Sequence, residues 1–173
     1  MLTGSKIKEE IENKNIFIEN FDESSLNPNS YDLHIQDKVL VYDTDQNPIL
    51  DTKAINPTRS IYIPEEGLIL QPGKLYLLST KENIWSEKYV PCITGRSSYA
   101  RLGIQVHQTA FFANLGDMVR WTLEVTAVQP VRIYSDLKLA QVYFEEVVGN
   151  VDIKYVGKYF GQTEATASKS YKD

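Results

Sequence analysis

The stretch Val119-Arg120-Trp121-Thr122-Leu123-Glu124-Val125 alternates between apolar and polar residues with a period of two. This alternation predicts a β-strand with one buried face and one polar face. The polar face carries Arg120, Thr122 and Glu124. A glutamate on such a face is usually a solvated surface residue. The alternative is a general base that faces a ligand, and the stretch alone leaves both interpretations open.

Similar alternating runs occur on both sides of this stretch and predict a mainly β chain. Turns that contain proline or glycine separate them. Many short strands with regular turns are typical of a barrel or a sandwich. The predicted strands cover residues 31–35, 38–42, 60–63, 74–78, 89–94, 119–126, 131–134 and 139–147.

One short helix is predicted at the N-terminus, over residues 3–14. Ile7 and Ile11 fall on one face of it, four residues apart. Thr3 or Ser5 is suited to capping its first turn. Most of the other residues in this segment are polar. We therefore expect the rest of the helix to face solvent.

The C-terminal residues 156–173 differ in composition from the rest of the chain. They are rich in Gly, Ser, Thr and Lys and poor in aliphatic residues, which is typical of a mobile tail. Tyr159 and Phe160 are the aromatic residues by which this tail would dock. The sequence therefore predicts one domain over residues 1–155 and a flexible tail over residues 156–173.

Composition and charge restrict the class of function. The chain has 173 residues and a net charge of -5, whereas binding to a nucleic-acid backbone needs a basic face. It has one cysteine, Cys92, so no intramolecular disulfide can form, as expected in a reducing compartment. No apolar run is long enough to span a membrane, and no signal-peptide pattern is present. We expect a cytoplasmic protein that binds neither nucleic acid nor membranes.

A second informative stretch is Gly95-Arg96-Ser97-Ser98-Tyr99-Ala100-Arg101, directly after a predicted strand. The glycine permits a tight turn and a close approach to a ligand. Residues 98–102 predict one helical turn that ends at Gly103, and a helix start offers free amides to an anion. The arginines add guanidinium groups and the serines add hydroxyl donors. Spacing alone leaves open a phosphate-binding segment or a surface turn with incidental arginines.

Zinc chemistry and a serine triad are not expected. Zinc-dependent nucleobase deaminases need His-x-Glu together with Pro-Cys-x-x-Cys. Here Pro91-Cys92 is followed by no second cysteine, and His34 and His107 are the only histidines. No nucleophile elbow is present either. We expect His107 to be structural.

Several motifs together resemble the dCTP deaminase branch of the trimeric dUTPase superfamily. Residues 95–103 are close to its GRSSLARLG signature, and residues 106–110 to its VHxTA. Leu123-Glu124 lies at the spacing of its catalytic LE pair. The likeness covers almost the whole chain and favours the functional interpretation of both stretches. Further matching stretches are residues 27–33 (PxSYDL in the family), 70–73 and 157–162.

The resemblance implies a distorted β-barrel, the dUTPase-like β-clip, that assembles as a homotrimer with sites at subunit interfaces. It implies hydrolytic deamination of dCTP to dUTP without zinc. Glu124 would take a proton from water, and the hydroxide would attack C4 of cytosine. Glu124 would then return protons to N3 and to the leaving ammonia, while Ser97 and Arg101 hold the water and position the base. Feedback inhibition by dTTP is expected as a family trait.

The resemblance also assigns contacts to the substrate. Arg96, Ser97 and Ser98 would hold phosphates. Lys158 and Gln162 in the tail would close over the triphosphate, and Mg²⁺ would be held by the phosphate oxygens. The other substrate-binding candidates are Tyr99, Ala100, Arg101, Asn114, Thr122, Leu123, Gln141 and Tyr155.

One segment departs from the family pattern. Family members read Ile-Asp-Pro-Gly-aromatic after the TA pair, and their Asp holds the sugar hydroxyl. The aligned residues here are 113–117, with Asn114 in place of the Asp and Asp117 in place of the aromatic residue. Asn114 can accept and donate hydrogen bonds but carries no charge. Asp117 is a candidate to take over part of that role.

Two residues favour a second reaction, from dUTP to dUMP and diphosphate. Gln141 lies where such bifunctional members carry a glutamine, and Phe112 where they carry an aromatic residue after a glycine. Phe111 replaces that glycine. We therefore predict a bifunctional enzyme. Two alternatives remain, a plain dUTP diphosphatase and a non-catalytic nucleotide-binding regulatory protein of the same fold.

Overall fold

The structure is a computed structural model that covers residues 1–173, and it is mainly β. It has two short α-helices, α1 (Gly4–Glu12) and α2 (Ser97–Ala100). No helix is long and apolar enough to cross a lipid bilayer. The twelve strands are β1 (Ile16–Ile18), β2 (Tyr31–His34), β3 (Lys38–Tyr42), β4 (Thr58–Tyr62), β5 (Leu68–Leu70), β6 (Tyr76–Ser79), β7 (Ile84–Ser86), β8 (Tyr89–Gly95), β9 (Ile104–Gln105), β10 (Thr122–Ala127), β11 (Val131–Ile133) and β12 (Lys138–Glu146).

The strands form four small antiparallel sheets rather than one closed ladder. The largest has the order β4-β3-β6-β10-β9, and a second has the order β2-β12-β8. The pairs β1-β7 and β11-β5 complete the set. One continuous core of 29 buried residues draws on all four sheets and on α1. The predicted distorted β-barrel is therefore confirmed, with a ladder that is interrupted around its circumference.

All eight predicted strands are present, with ends that shift by up to three residues. The predicted strand over residues 119–126 begins only at Thr122. Before that residue the main chain bonds elsewhere: Val119 exchanges hydrogen bonds with Ile84, and the Trp121 carbonyl accepts from Thr80. Sequence reasoning missed β1, β5, β7 and β9. They have only two or three residues each, which is too few for alternation to be read.

The N-terminal helix confirms one prediction and corrects another. Thr3 caps it, since its Oγ1 accepts the Lys6 amide at 3.2 Å. The expectation that its polar residues all face solvent is wrong at Glu10, which is 2% exposed. Lys6 and Lys88 pair with this carboxylate at 2.8 and 3.3 Å, and Asn15 donates to it. The Lys6 ammonium and the Asn15 amide hold the pKa of Glu10 at about 2.

The burial pattern of strand β10 confirms the alternation of apolar and polar residues from which the strand was predicted. Leu123 and Val125 are buried at 1% and 0% exposure, whereas Glu124 is half-buried. Glu124 lies opposite Leu77 of β6. Burying a side chain such as Leu123 contributes about 1.5–3 kcal/mol, so the register of β10 is firmly set. The sheet therefore fixes where the Glu124 carboxylate can point.

Candidate active site

The polar face of β10 borders a cavity of about 440 Å³, a volume within the range of small-molecule sites. Glu124 and Thr122 form part of its wall, and Leu75, Leu77 and Trp121 supply apolar surface. Its other lining residues come from the segment before β10, from Tyr42 on β3, from Tyr155 and from the tail: Ala110, Phe112, Ala113, Asn114, Asp117, Val119, Tyr159, Gln162, Thr166 and Ser168.

Glu124 is the carboxylate at the β10 wall of this cavity. Its Oε2 accepts the backbone N–H of Gln108 at 3.2 Å, and the Gln108 side chain donates to the Glu124 carbonyl at 3.2 Å. Burial raises the pKa of Glu124, and the Gln108 amide and His107 oppose that rise. A half-buried carboxylate with a raised pKa, facing a cavity, has the properties of a general base.

The segment before β10 reaches the cavity through a tight turn. Phe111 and Ala113 bond to β8, since the Phe111 carbonyl accepts from Ile93 at 2.6 Å and the Ala113 amide donates to Pro91 at 2.9 Å. The following turn places Asn114 and Asp117 at its two ends, both on the cavity wall. Gly116 occupies the turn with a φ of 75°. Such a φ favours glycine, because an L side chain would be strained there.

Asp117 is a buried carboxylate, 4% exposed. Its Oδ1 accepts the Gly161 amide of the tail at 3.1 Å. Burial raises the pKa of Asp117, and the Gly161 hydrogen bond opposes that rise. The cavity thus carries two carboxyl groups with raised pKa values, one on β10 and one on the preceding turn.

The tail lies against the chain immediately before β10. The Arg120 amide donates to the Gln162 carbonyl at 3.2 Å, and the Gln162 side chain donates to the Arg120 carbonyl at 2.9 Å. Farther along, the Thr166 amide donates to Thr122 Oγ1 at 3.0 Å, and the Ser168 amide to the Tyr42 hydroxyl at 2.9 Å. These contacts place the tail along the cavity. Its mobility and the boundary at residue 156 stay predictions.

Cationic side chains of the tail gather around Tyr159. The ammonium groups of Lys158 and Lys169 lie 5.9 and 5.4 Å from the centre of its ring. Lys158 is paired with the Asp173 carboxylate, and its carbonyl accepts from the Lys169 ammonium at 2.8 Å. Lys158 does not itself line the cavity, but its neighbour Tyr159 does. Lys169, which sequence reasoning missed, adds a second cation beside it.

The predicted phosphate segment lies elsewhere on the chain. Helix α2 begins at Ser97, one residue before the predicted start, and no side chain caps it. Ser97, Ser98, Ala100 and Arg101 are exposed, and Tyr99 packs partly against the core. The exposed serines and Arg101 leave their side-chain donors open to a ligand.

Arg96 differs from Arg101 because the fold already holds its side chain. Its Nη1 donates to the Lys138 carbonyl at 2.9 Å, and its Nη2 pairs with Asp32 at 3.1 Å. Asp32 is buried and accepts a further hydrogen bond from Asn27 at 2.8 Å. A guanidinium has five N–H donors, so Arg96 keeps donors for a phosphate while its direction is set.

Gln141 of β12 forms a hydrogen bond with the first residue of the 95–101 segment. Its Nε2 donates to the Gly95 carbonyl at 3.0 Å, and its Oε1 accepts from Ser30 at 2.6 Å. It lines a second cavity, of about 380 Å³, together with His107 and Phe111. Phe112 instead lines the Glu124 cavity, so the two phenylalanines face different spaces.

Within one chain the predicted site residues fall into two groups. The Glu124 cavity brings together Glu124, Thr122, Asn114, Tyr155, Gln162 and Phe112. It contains no residue of the 95–101 segment, nor Gln141, Lys158 or Phe111. The side chain of Leu123 is buried in the core, so only its main chain is available to a ligand. Helix α2 leads into β9, which pairs with Thr126 and Ala127 at the far end of β10.

Sequence reasoning missed several residues of the cavity. Tyr42, Thr166 and Ser168 belong to no motif, and only the folded tail brings them to Thr122 and to each other. Gln108 was read only as part of a motif, and its contact with Glu124 depends on the run after β9 lying beside β10. Of the two aromatic residues that the sequence marked in the tail, Tyr159 lines the cavity and Phe160 does not.

The fold and this cavity define a class: a small mainly β protein with a carboxylate-lined site of nucleoside size. A family model described as dCTP deaminase-like matches residues 1–147. The chain belongs to the dCTP deaminase-like family.

Full-length relatives agree with this assignment. A protein of Clostridium beijerinckii named dCTP deaminase, dUMP-forming, is 45% identical over 173 residues, covering 100% of this chain and 98% of the relative. Proteins with the same name from Hathewaya histolytica and Cytophaga hutchinsonii are 45% and 42% identical over 173 residues. They cover 100% of this chain and 98% of each relative.

A solved structure confirms the fold. It is the crystal structure of 2'-deoxycytidine 5'-triphosphate deaminase from Agrobacterium tumefaciens, with a TM-score of 0.64 and 16% sequence identity. The match covers 84% of this chain and 48% of that one, so this chain spans about half the length of the solved protein. At this identity the likeness concerns the fold alone.

Proposed function

We propose that this protein deaminates dCTP by hydrolysis and carries the product on to dUMP and diphosphate. The observation that carries the proposal is Glu124, a half-buried carboxylate with a raised pKa on the wall of a nucleoside-sized cavity. The names of the relatives, dCTP deaminase, dUMP-forming, support the same reaction. Phe112 and Gln141 are the residues of this chain that match the dUMP-forming pattern.

Glu124 performs the proton transfers of the deamination. The carboxylate takes a proton from a water molecule, and the resulting hydroxide attacks C4 of the cytosine. Glu124 then passes protons to N3 and to the exocyclic nitrogen, which leaves as ammonia. The sum is dCTP and water giving dUTP and ammonia. A carboxyl group whose pKa is raised toward neutrality serves both as base and as acid.

The complete site combines two copies of the chain. A triphosphate needs several cations and hydroxyl donors. The exposed serines of α2 and Arg101 offer them, yet they do not reach the Glu124 cavity of their own chain. A cyclic homotrimer would lay α2 of one subunit beside the cavity of the next, because every copy presents both surfaces. In that assembly Ser97 and Arg101 reach the water and the base, and Arg96, Ser97 and Ser98 hold phosphates.

Magnesium enters this proposal as part of the substrate. No three His, Cys, Asp or Glu side chains converge into a metal site, and hard phosphate oxygens are ligands that Mg²⁺ prefers. The ion would neutralise the triphosphate as it docks. Feedback inhibition by dTTP remains a prediction from the resemblance, and a cytoplasmic location remains a prediction from composition.

Product analysis tests the proposal. Pure protein is incubated with dCTP and Mg²⁺, and ammonia, dUTP, dUMP and diphosphate are quantified over time. We expect ammonia and dUMP to appear together, with little dUTP. Ammonia with stoichiometric dUTP would limit the activity to the first step, and diphosphate from dUTP without ammonia from dCTP would indicate a plain dUTP diphosphatase. Tight binding of dCTP or dTTP without any product would favour a regulatory protein.

A further inference from the structure

The edge of β10 next to Glu124 is not covered by the neighbouring strand. Strand β9 pairs only with Thr126 and Ala127 and then ends. The chain after β9 follows the same edge without forming a ladder, and Gln108 lies within it. Gln108 is exposed and is not part of the cavity wall. Any influence of Gln108 on the cavity therefore passes through β10.

Three hydrogen bonds join Gln108 to this edge. Its side-chain Nε2 donates to the Glu124 carbonyl and to Thr126 Oγ1, each at 3.2 Å. A primary amide carries two N–H donors, so one nitrogen serves both acceptors. The backbone N–H of the same residue donates to Glu124 Oε2, also at 3.2 Å. The side chain thus binds the strand at two points, while the main chain contacts the carboxylate.

The two side-chain contacts hold the peptide that makes the third contact. Val106 anchors the run in the core at 2% exposure, and Gln108 attaches it again two residues later. The Gln108 N–H is the one hydrogen-bond donor of this chain on the Glu124 carboxylate. Such a donor favours the charged form, and here it opposes the rise in the pKa of Glu124 that burial causes. The position of this amide therefore bears on the protonation of the carboxyl group.

We propose that Gln108 is a positioning residue for the general base, because its two side-chain hydrogen bonds to β10 keep its backbone N–H on the Glu124 carboxylate. The inference rests on the proposed function, in which Glu124 takes a proton from water. Gln108 acts through Glu124 and lies outside the cavity. Loss of its side-chain amide frees the N–H, raises the pKa of Glu124 further and leaves the carboxyl group protonated up to a higher pH.

Other titratable groups surround Glu124, and they stay in place when Gln108 is replaced. His107 also opposes the rise in the pKa of Glu124, and its Nδ1 is buried without a hydrogen-bond partner. Asp117 faces the cavity from the preceding turn, and β6 contributes only Leu77. No Lys or Arg side chain lines the cavity. The remaining titratable groups on its wall are Tyr42, Tyr155 and Tyr159.

The experiment measures kcat/KM for dCTP against pH in the wild type, Gln108→Leu and Thr126→Val. Gln108→Leu keeps the backbone N–H but removes both side-chain donors. We expect its acid limb to move to higher pH, so that kcat/KM on that limb falls about 2- to 10-fold. The plateau at higher pH should stay within about twofold of wild type, because Glu124 is deprotonated there in both proteins. Thr126→Val should shift the limb less, and should add little in the Gln108→Leu background.

Two control variants separate this role from a general structural one. Gln46→Leu replaces an exposed glutamine on the loop after β3, outside the cavity, and should change neither limb nor plateau. The shift caused by Gln108→Leu should persist in a His107→Asn background, and its disappearance there would overturn the proposal. An acid limb of Gln108→Leu that coincides with the wild-type limb would also overturn it. So would an equal fall at every pH, because a loss of fold or assembly acts in that way.

Direct titration of the carboxyl group separates this inference from the proposed function. The carbon-13 signal of the Glu124 side chain is followed against pH in labelled protein and is assigned with Glu124→Gln. Its midpoint should rise in Gln108→Leu, and an unchanged midpoint would contradict the proposal. If wild-type protein released no ammonia from dCTP, the proposed function would fail, whereas the two midpoints would still decide the role of Gln108.

Discussion

The surroundings of Glu124 and those of Arg101 differ in how far a single chain completes them. Around Glu124, β6, the run after β9 and the tail enclose a cavity, and the carboxylate is held by Gln108. Around Arg101, the helix α2 presents open side chains to solvent, and only Arg96 behind it is fixed. Both regions carry motifs of the same resemblance, and α2 leads into β9, which pairs with Thr126 and Ala127, beyond Glu124 on β10.

Under the proposed function, the two regions have different tasks in one shared site. The enclosed region supplies desolvation, which raises the pKa of Glu124 and of Asp117. The open region supplies cations, which need no enclosure until a triphosphate arrives. In the proposal, exposed donors bind the anionic triphosphate, whereas the cavity binds the neutral base and sugar. In the proposed assembly, each region acts together with the other region of a neighbouring copy.

The largest expected effect comes from the enclosed region. Glu124→Gln keeps the size and a hydrogen-bond acceptor but cannot shuttle a proton, so kcat should fall by about 10²- to 10⁴-fold. Nucleotide affinity, measured by calorimetry with dCTP, should stay within a few-fold of wild type. Near-normal turnover in this variant would remove Glu124 from its role.

The pH dependence of the same region follows from the raised pKa of Glu124. A general base must be deprotonated, so kcat/KM should fall as pH is lowered through that pKa. The acid limb should therefore lie above the ordinary glutamate value of about 4.3. An acid limb at or below that value would contradict the assignment of this limb to a buried Glu124.

Mixing two inactive variants tests whether the regions act across copies. Glu124→Gln and Arg101→Ala each damage one region, so each homo-oligomer should be nearly inactive. Random co-assembly at equal amounts would give about one quarter of the sites an intact Glu124 facing an intact Arg101, and about one quarter of wild-type activity. No recovery in co-expressed, co-purified mixtures would place both residues in a site within one chain.

A smaller effect is expected from the ion pair between Asp32 and Arg96, next to the open region. Asp32→Asn keeps the hydrogen bond from Asn27 but removes the charge that directs Arg96. We expect KM for dCTP to rise about tenfold with kcat little changed, as for the loss of one charged contact. Asp136→Asn, at an exposed pair, is the matched control. A tenfold fall in kcat with an unchanged KM would show that Asp32 does not act through Arg96.

The smallest effect concerns stability without a ligand. Burial raises the folded-state pKa of Asp117, so the protein loses stability as pH rises through that pKa. Asp117→Asn abolishes this titration and should raise Tm by a few degrees at pH 7. Below about pH 3.9, the pKa of an unfolded aspartate, both forms are neutral and the difference should vanish. A lower Tm for Asp117→Asn at pH 7 would contradict the account.

Motifs in the sequence predicted candidate site residues but not which of them line the same cavity. Glu124, Asn114, Thr122 and Gln162 were predicted and do line one cavity. The short strands and the contribution of Tyr42 were not predictable, because each depends on pairings distant in sequence. Glu10 was misread as solvated for the same reason, since its partner Lys88 is far along the chain.

The sequence by itself determined the mainly β architecture, the strand that carries Glu124 and the motifs that mark the family. Period-two alternation and short signatures are local properties, and local chemistry reports them. Only the tertiary structure decided that Asp117 is buried beside the tail, that Arg96 is held by Asp32, and that Arg101 lies outside the cavity of Glu124. Burial and desolvation depend on what packs around a residue, and that is fixed when distant segments meet.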